Sequence, residues 1–199
     1  MSTEGVDRSR RRFLTVTASV VGGVGVVAAA VPFVTYMTPS DRARAAGAPI
    51  EVDISKIEPG QKVNVKWRGQ VVWVLHRTPE MLETLPKLNE EVAAPTSEEQ
   101  PEQQPEYATN IHRSIKPEYL VVVGICTHLG CSPTYRPEVA ASDLGSDWLG
   151  GFFCPCHGSR FDLAGRVYQG VPAQLHLLVP PHFYASEAVV RIGEDEGAA

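Results

Sequence analysis

The chain has 199 residues, of which 43% are hydrophobic and 21% charged, an ordinary composition for one medium globular domain with a short extension. The formal net charge is −5, and because residues 1–40 contribute +2, residues 41–199 carry −7. An acidic domain without a basic stripe argues against a nucleic-acid partner. Sixteen prolines, 17 glycines and abundant β-branched residues favour an all-β fold with many turns.

The N-terminal part predicts one membrane anchor and a tether. Residues 13–37 carry no charge, and as a helix these 25 residues would measure roughly 37 Å, enough to cross a ~30 Å hydrocarbon core with some tilt. Arginines precede this run and only Arg42 and Arg44 follow it closely, so we expect residues 1–12 to stay in the cytoplasm. Residues 38–49 are rich in alanine and glycine, which predicts a flexible tether.

The same segment carries an export pattern. The hexapeptide SRRRFL, residues 9–14, resembles a twin-arginine export signal, with Arg10 and Arg11 as the pair. That pathway carries proteins that have already folded. A cleaved signal peptide remains the alternative to a retained anchor, and two small-residue motifs offer cleavage patterns: Ala28-x-Ala30 and Ala46-x-Ala48.

Residues 50–199 are predicted to form one antiparallel β domain. Hydrophobic alternation on both sides of Arg68-Gly69 predicts a hairpin. Residues 79–91 predict a short helix interrupted at Pro86, and the Pro/Glu/Gln-rich residues 94–106 predict a surface loop. Three further runs of apolar residues predict strands: residues 119–125, 174–180 and 188–193.

All four cysteines and two of the six histidines lie in two short loops, residues 124–133 and 152–161. The first loop contains C-x-H-x-x-C and the second C-x-C-H, which are too many candidate ligands for one tetrahedral metal. Four cysteines alone would suit a plant-type iron–sulfur cluster. A Cys2His2 zinc site is a second possibility, although zinc fingers space their ligand pairs differently. A third arrangement takes one cysteine and one histidine from each loop, which is the ligand set of a Rieske [2Fe–2S] centre.

The motifs CTHLGC and CPCHGS, at residues 126–131 and 154–159, resemble the two boxes of the Rieske proteins of cytochrome bc1 complexes. The stretch RSIKPEYLVVVGICTHLGCSP resembles the proteobacterial branch of that family, and the likeness extends from the anchor through both boxes. It implies a Rieske-type antiparallel β-sandwich with a cluster-binding subdomain, preceded by one N-terminal transmembrane helix. It also implies one [2Fe–2S] cluster per subunit.

The resemblance assigns the iron ligands, the disulfide and the residues near the cofactor. Two cysteines would bind the buried iron and two histidines the outer iron: Cys126 and Cys154, His128 and His157. The remaining cysteines, Cys131 and Cys156, would form a disulfide, which a periplasmic domain permits. Cofactor contacts would come from four further positions: Leu129, Gly130, Ser159 and Phe161.

Three positions concern the tuning of the cluster. Ser159 matches a family serine whose hydroxyl donates to a bridging sulfide and raises the reduction potential. Phe161 stands where mitochondrial relatives carry a tyrosine that donates to a ligand sulfur, so a lower potential is expected here. Gln174 stands at the second proline of a proline-bearing loop that the family has beside its cluster. The resemblance therefore does not imply a rigid loop in this chain.

The function implied by the resemblance is that of the iron–sulfur subunit of ubiquinol:cytochrome c oxidoreductase. His157 would contact the quinol and accept its proton, while the electron passes through the cluster to cytochrome c1. The subunit would work with cytochrome b and cytochrome c1 in a dimeric complex of the bacterial inner membrane, with its Rieske domain in the periplasm. The alternative is the small Rieske subunit of a periplasmic molybdenum enzyme such as arsenite oxidase.

Two other classes of protein are less consistent with the sequence. A structural zinc module does not explain the mixed Cys/His spacing of the two loops. A soluble oxygenase ferredoxin conflicts with the 25-residue uncharged run. The remaining histidines have no partner at ligand spacing and are expected at surface or strand positions: His76, His112, His176 and His182.

Overall fold

The N-terminal unit consists of a long exposed helix and the start of a short one. The computed structural model describes residues 7–196 and divides the chain after Ala45. Helix α1 spans Arg8–Tyr36 and is capped by Asp7, whose carboxylate accepts the N–H groups of Ser9 and Arg10. All of its residues are exposed, and it is long and apolar enough to cross a membrane. The chain therefore has the expected N-terminal helix that could span a bilayer.

The predicted tether contains a second helix. Helix α2 spans Asp41–Ala46, six residues within the 38–49 segment. Alanine and arginine are good helix formers, so a single turn is locally favoured, although a helix this short is marginal by itself. The flexibility of residues 38–49 stays a prediction.

The domain that begins at Ala46 contains three antiparallel sheets of three strands each among the described residues. The first sheet has the order β1 (Ile50–Asp53), β9 (Val189–Ile192), β8 (His182–Ser186). The second has the order β2 (Lys62–Trp67), β3 (Gln70–His76), β4 (Tyr119–Val123). The third has the order β5 (Thr134–Arg136), β6 (Gly151–Phe153), β7 (Arg160–Phe161).

The first two sheets form the sandwich, and the third belongs to the cluster-binding subdomain. Val52 and Ile192 of the first sheet share one buried core with Val74 and Val121 of the second. Successive residues of β3 and β4 are buried on opposite faces, so Val74 and Val121 enter this core while Leu75 and Leu120 enter the core that contains the free cysteines. The predicted hairpin is confirmed, because Arg68 and Gly69 join β2 to β3 with φ values of 50° and 79°. Two successive left-handed residues are typical of the tight turns that match strand twist.

The helix predicted over residues 79–91 ends early, as its proline requires. Helix α3 spans Pro79–Thr84, and the hydroxyl of Thr78 caps it by accepting the Met81 N–H group. A 3-10 helix follows at Pro86–Leu88. In the loop predicted at residues 94–106, the chain forms another 3-10 helix at Pro101–Gln103, and a third follows at Glu106–Ala108.

The strand predicted at residues 174–180 is wrong. The backbone there bonds to several segments instead of one neighbouring strand: Leu177 N–H donates to Gly165 O at 2.9 Å, and Val179 N–H donates to Gln103 O at 2.9 Å. A run of apolar residues predicts burial, but a strand also requires one continuous partner, which these residues lack. The other two predicted runs correspond to β4 and β9.

Three fully buried arginines fix the turn that follows β7. Arg77 donates to Leu163 O at 3.1 Å, and Arg113 donates to the next two carbonyl oxygens at 3.3 and 3.2 Å. Arg166 forms a buried ion pair with Asp162, at 2.7 Å between Nε and Oδ2. Because buried carbonyl groups must find donors, these guanidinium groups satisfy a turn that has no sheet partner.

One histidine contradicts the expected surface or strand position. His176 is completely buried in an irregular segment. Its Nδ1 accepts the Val167 N–H group at 3.0 Å, so Nε2 carries the proton and donates to Ala94 O at 3.0 Å. Burial, aided by the charge of Arg113, lowers the pKa of His176 to about 3, so this ring stays neutral and holds two loops together.

A substitution at Gly124 tests the packing between β4 and the first Cys/His loop. A Cβ atom on Gly124 would lie 2.2 Å from Cε2 of Trp73, whose indole is buried and stacked on Phe152 at 4.9 Å. We expect Gly124→Ala to lower the free energy of unfolding by about 1–3 kcal/mol through overpacking. Urea denaturation of the wild-type and variant domains measures this difference.

The control repeats the substitution in a Trp73→Leu background. Removing the indole relieves the contact, so the cost of Gly124→Ala should shrink in the double variant. An equal cost in both backgrounds would show that the steric explanation is incorrect.

Candidate metal centre

The first loop follows β4 and closes on itself through two backbone hydrogen bonds. Cys126 N–H donates to Cys131 O at 2.7 Å, and Gly130 N–H donates to Cys126 O at 3.0 Å. Gly130 has a φ of +83°, a left-handed conformation that side chains disfavour. This turn places Cys126 at the buried base of the loop, while the side chain of Leu129 points outward with 72% exposure.

The second loop joins β6 to β7 and has a closely similar backbone. Cys154 N–H donates to Ser159 O at 2.8 Å, and Gly158 N–H donates to Cys154 O at 2.9 Å. Gly158 also has a left-handed φ, +77°. The two free cysteines, Cys126 and Cys154, thus occupy equivalent positions at the bases of two matching loops.

A disulfide between Cys131 and Cys156 joins the loops. The sulfur atoms of Cys131, Cys154 and Cys156 all lie within 4.8 Å of one another. Because metal ligation takes a thiolate, the two bridged sulfurs do not qualify as ligands in this state. Cys154 is therefore the one ligand that this group of three can supply.

The two free thiols lie in the interior next to each other. Cys126 and Cys154 are each 2% exposed. Burial raises the pKa of the Cys126 thiol, and the neighbouring Cys154 thiol contributes to the rise, whereas hydrogen bonds from the His128 backbone and the Ser159 hydroxyl oppose it. A metal ion bound by both sulfurs would hold them as thiolates and supply the positive charge that these two buried groups lack.

Two imidazole rings lie beside each other on the outer side of the loops. The ring centroids of His128 and His157 are 4.8 Å apart, and the rings are nearly perpendicular at 86°. His157 is exposed and His128 half-buried. Nδ1 of His128 is buried and has no hydrogen-bond partner within residues 7–196. Buried polar atoms are normally paired, so an unpaired imidazole nitrogen is what a metal ligand would present.

These side chains fit a Rieske cluster. The chain brings together two buried thiols and two adjacent imidazoles, one of each from each loop. This donor set matches neither an all-cysteine cluster nor the usual spacing of a zinc finger.

Ser159 and Phe161 lie in the buried wall behind the thiols. Ser159 is fully buried, and its Oγ accepts the Ala173 N–H group at 3.1 Å, which leaves the hydroxyl proton available for a sulfur acceptor. Phe161 is also fully buried and belongs to the same core cluster as Cys126 and Cys154. Their contacts with the cofactor, like those of Leu129 and Gly130, stay predictions.

Two residues that position the site were not identified from the sequence. Thr127 Oγ1 donates to Leu175 O at 2.6 Å, and this bond joins the first loop to the segment that carries Gln174. Gln100 contacts the same segment from the other side. Thr127 could have been identified because it lies inside the CTHLGC motif, whereas no local sequence pattern distinguishes Gln100.

Comparisons with known proteins agree with this geometry. Residues 1–40 match the family model "Ubiquitinol-cytochrome C reductase Fe-S subunit TAT signal", and residues 89–181 match "Rieske [2Fe-2S] domain". The chain is 61% identical over 199 residues to the ubiquinol-cytochrome c reductase iron-sulfur subunit of Allochromatium vinosum, covering 100% of this chain and 95% of the relative.

A second relative and one solved structure are also similar over most of the chain. The iron-sulfur subunit of the same name from Blastochloris viridis is 42% identical over 195 residues, covering 96% of this chain and 97% of the relative. A solved structure described as "Hyperthermophilic respiratory Complex III" has 25% identity and a TM-score of 0.48, covering 88% of this chain and 98% of the other.

The chain is a membrane-anchored Rieske [2Fe–2S] protein with a twin-arginine signal. This class is defined by the two family matches together with the disulfide that joins the two Cys/His loops. The sequence identity to the two iron–sulfur subunits extends over nearly the whole chain, so it identifies the family more specifically than the match to the Rieske domain does. The chain belongs to the family of ubiquinol–cytochrome c reductase iron–sulfur subunits.

Adding a hydroxyl at position 161 tests the tuning of the centre. We expect Phe161→Tyr to raise the midpoint potential by roughly 40–90 mV, the equivalent of one hydrogen bond of about 1–2 kcal/mol to a ligand sulfur in a one-electron couple. A redox titration followed by EPR measures the shift. The matched control is Phe152→Tyr, because Phe152 is an equally buried phenylalanine that pairs with Phe161 across the sheet. An unchanged or lower potential in Phe161→Tyr would refute the expected hydrogen bond.

Proposed function

We propose that this subunit accepts an electron from ubiquinol and passes it to cytochrome c1. The observation that carries the proposal is the asymmetry of the centre, in which the two free thiols are buried and the His157 ring is exposed. The proposed ligands are Cys126 and Cys154 for one iron and His128 and His157 for the other. When bound, the [2Fe–2S] cluster supplies a one-electron acceptor of high potential.

His157 performs the contact with substrate in this proposal. Its exposed ring receives a hydrogen bond from a quinol hydroxyl at Nε2 and then holds the proton at that atom. The outward Leu129 side chain adds an apolar surface beside the ring, which favours a hydrophobic quinol over water. Ser159 and Phe161 exclude water from the thiol side, and Ser159 donates its hydroxyl proton to a sulfur.

The anchor and the disulfide support the proposed location. Helix α1 anchors the subunit, and the arginines before its apolar run favour a cytoplasmic N-terminus in the bacterial inner membrane. The Cys131–Cys156 bond requires an oxidising compartment, which supports a periplasmic domain. Cytochrome b and cytochrome c1 are the partners in complex III, which we propose to be dimeric. Residues 38–49 then serve as a flexible tether that lets the domain reach both partners.

The alternative as the Rieske subunit of a molybdenum enzyme is not favoured. The similarity to ubiquinol–cytochrome c reductase subunits extends over the full length, and the signal model that matches residues 1–40 belongs to the same family.

Membranes of a bacterium deleted for its own iron–sulfur subunit provide the test. We expect the gene to restore antimycin-sensitive reduction of cytochrome c by ubiquinol, and the protein to co-purify with b-type and c-type haem. A folded protein that carries its cluster but neither restores turnover nor retains haem would contradict the proposal.

Two tether variants extend the same assay. Replacing residues 43–47 with prolines stiffens the tether and should slow turnover without changing the cluster spectrum. A glycine–serine replacement of equal length is the control and should retain turnover. Full activity of the proline variant would contradict the mobile tether.

A further inference from the structure

Residues 170–176, here called the bridging segment, contact both Cys/His loops without belonging to a sheet. Ala173 N–H donates to Ser159 Oγ in the second loop at 3.1 Å. The carbonyl of Leu175 accepts the hydroxyl of Thr127 in the first loop at 2.6 Å. The position of this segment therefore depends on individual side-chain hydrogen bonds instead of a continuous ladder.

Gln100 binds the bridging segment from the opposite side with both ends of its amide. Its Oε1 accepts the His176 N–H group at 2.7 Å, and its Nε2 donates to Gln174 O at 3.3 Å. These two backbone groups flank Leu175, whose carbonyl is the one that Thr127 binds. Three successive residues are thus held between two side chains that come from distant parts of the chain.

The backbone of Gln100 is itself fixed. The carbonyl of Gln100 accepts the side-chain amide of Gln104 at 2.8 Å. Gln104 is 6% exposed, and its Oε1 accepts Nη2 of the fully buried Arg113 at 2.9 Å. Arg113 also donates to Gly165 O, just beyond the second loop. Because its base is anchored to the core, the Gln100 side chain can impose a position on the bridging segment instead of moving with it.

The buried His176 ring fixes the end of the bridging segment through Val167 and Ala94. Apart from the bond from Gln100, residue 174 itself makes no restraining contact within the described residues. The Gln174 side chain is exposed, and its N–H group has no hydrogen-bond partner in the described part of the chain. A proline at this position would fix φ without the loss of a hydrogen bond. The amide of Gln100 supplies from outside a restraint that the residue at 174 does not supply by itself.

We propose that Gln100 is a positioning residue of the iron–sulfur centre, which holds the bridging segment against both loops in place of a local backbone restraint. Through Ala173 it keeps the Ser159 hydroxyl oriented, and through Leu175 it keeps the first loop closed. The inference rests on the proposed ligand assignment. Its measurements need no quinol or cytochrome partner, so its failure is distinguishable from failure of the proposed electron transfer.

The experiment measures hydrogen exchange and EPR on the cluster-loaded protein. In Gln100→Leu we expect the two hydrogen-bonded backbone amides of this stretch, those of Ala173 and His176, to exchange roughly tenfold faster, in line with the loss of one to two hydrogen bonds. The EPR lines should broaden and the midpoint potential should fall, because the Ser159 hydroxyl samples more than one orientation. Iron content and exchange in the β2–β3 hairpin should match the wild type.

Three further variants make the test specific. Gln103→Leu is the matched control, because the Gln103 side chain makes no hydrogen bond within residues 7–196, and it should leave every measurement unchanged. Gln100→Glu keeps the acceptor for His176 N–H and should show an intermediate effect. Adding Gln174→Pro to Gln100→Leu should restore slow exchange and narrow lines, since the ring supplies the missing restraint.

The contrary results are equally defined. Wild-type exchange and line width in Gln100→Leu would overturn the proposal. An equal effect of Gln103→Leu would assign the result to general loosening of the glutamine-rich segment and would also overturn it. Failure of Gln174→Pro to restore slow exchange would refute the claim that Gln100 replaces a backbone restraint.

Discussion

The disulfide between Cys131 and Cys156 is the constraint on which the centre depends. The first loop lies between the second and third sheets, and the second loop lies within the third, so no common ladder holds them together. The bond closes a separation of 25 residues and brings the bases of two matching turns together. A cross-link of this kind stabilises mainly by limiting the unfolded chain. It also keeps the four proposed ligands of the two small loops close together.

Buried charged side chains provide further support for the centre, and most of them are positive. Three guanidinium groups lie in the core with Asp162 as the one buried carboxylate among the described residues. Their other donors are satisfied by carbonyl oxygens, amide side chains and the Ser114 hydroxyl, which lowers the cost of burying the positive charge. The bonds converge on the turn after β7 and connect it to the glutamine-rich segment. This polar network thus lies next to the apolar core that contains the thiols, while His157 and Leu129 are exposed on the outward side.

Local patterns predicted the parts of the molecule that local physics determines. The Arg68-Gly69 hairpin, the helix stop at Pro86 and the Cys/His loops follow from turn chemistry, ring geometry and ligand spacing. The prediction of a strand at residues 174–180 was wrong because an apolar run does not reveal whether a partner strand exists. The buried position of His176 and the role of Gln100 could not be predicted for a related reason. The bond from His176 to Ala94 spans 82 residues and the bond between His176 and Gln100 spans 76, and no period or motif encodes such contacts.

In the proposed function, the division between buried thiols and an exposed imidazole lets one centre both hold an electron and bind a substrate. The most direct test of this account is pulsed EPR on the purified protein after reduction with ascorbate, with histidine labelled by nitrogen-15. We predict an average g value well below the free-electron value and strong hyperfine coupling to two imidazole nitrogens. A signal without histidine coupling, as an all-cysteine cluster would give, or no signal after ascorbate, would contradict the central claim.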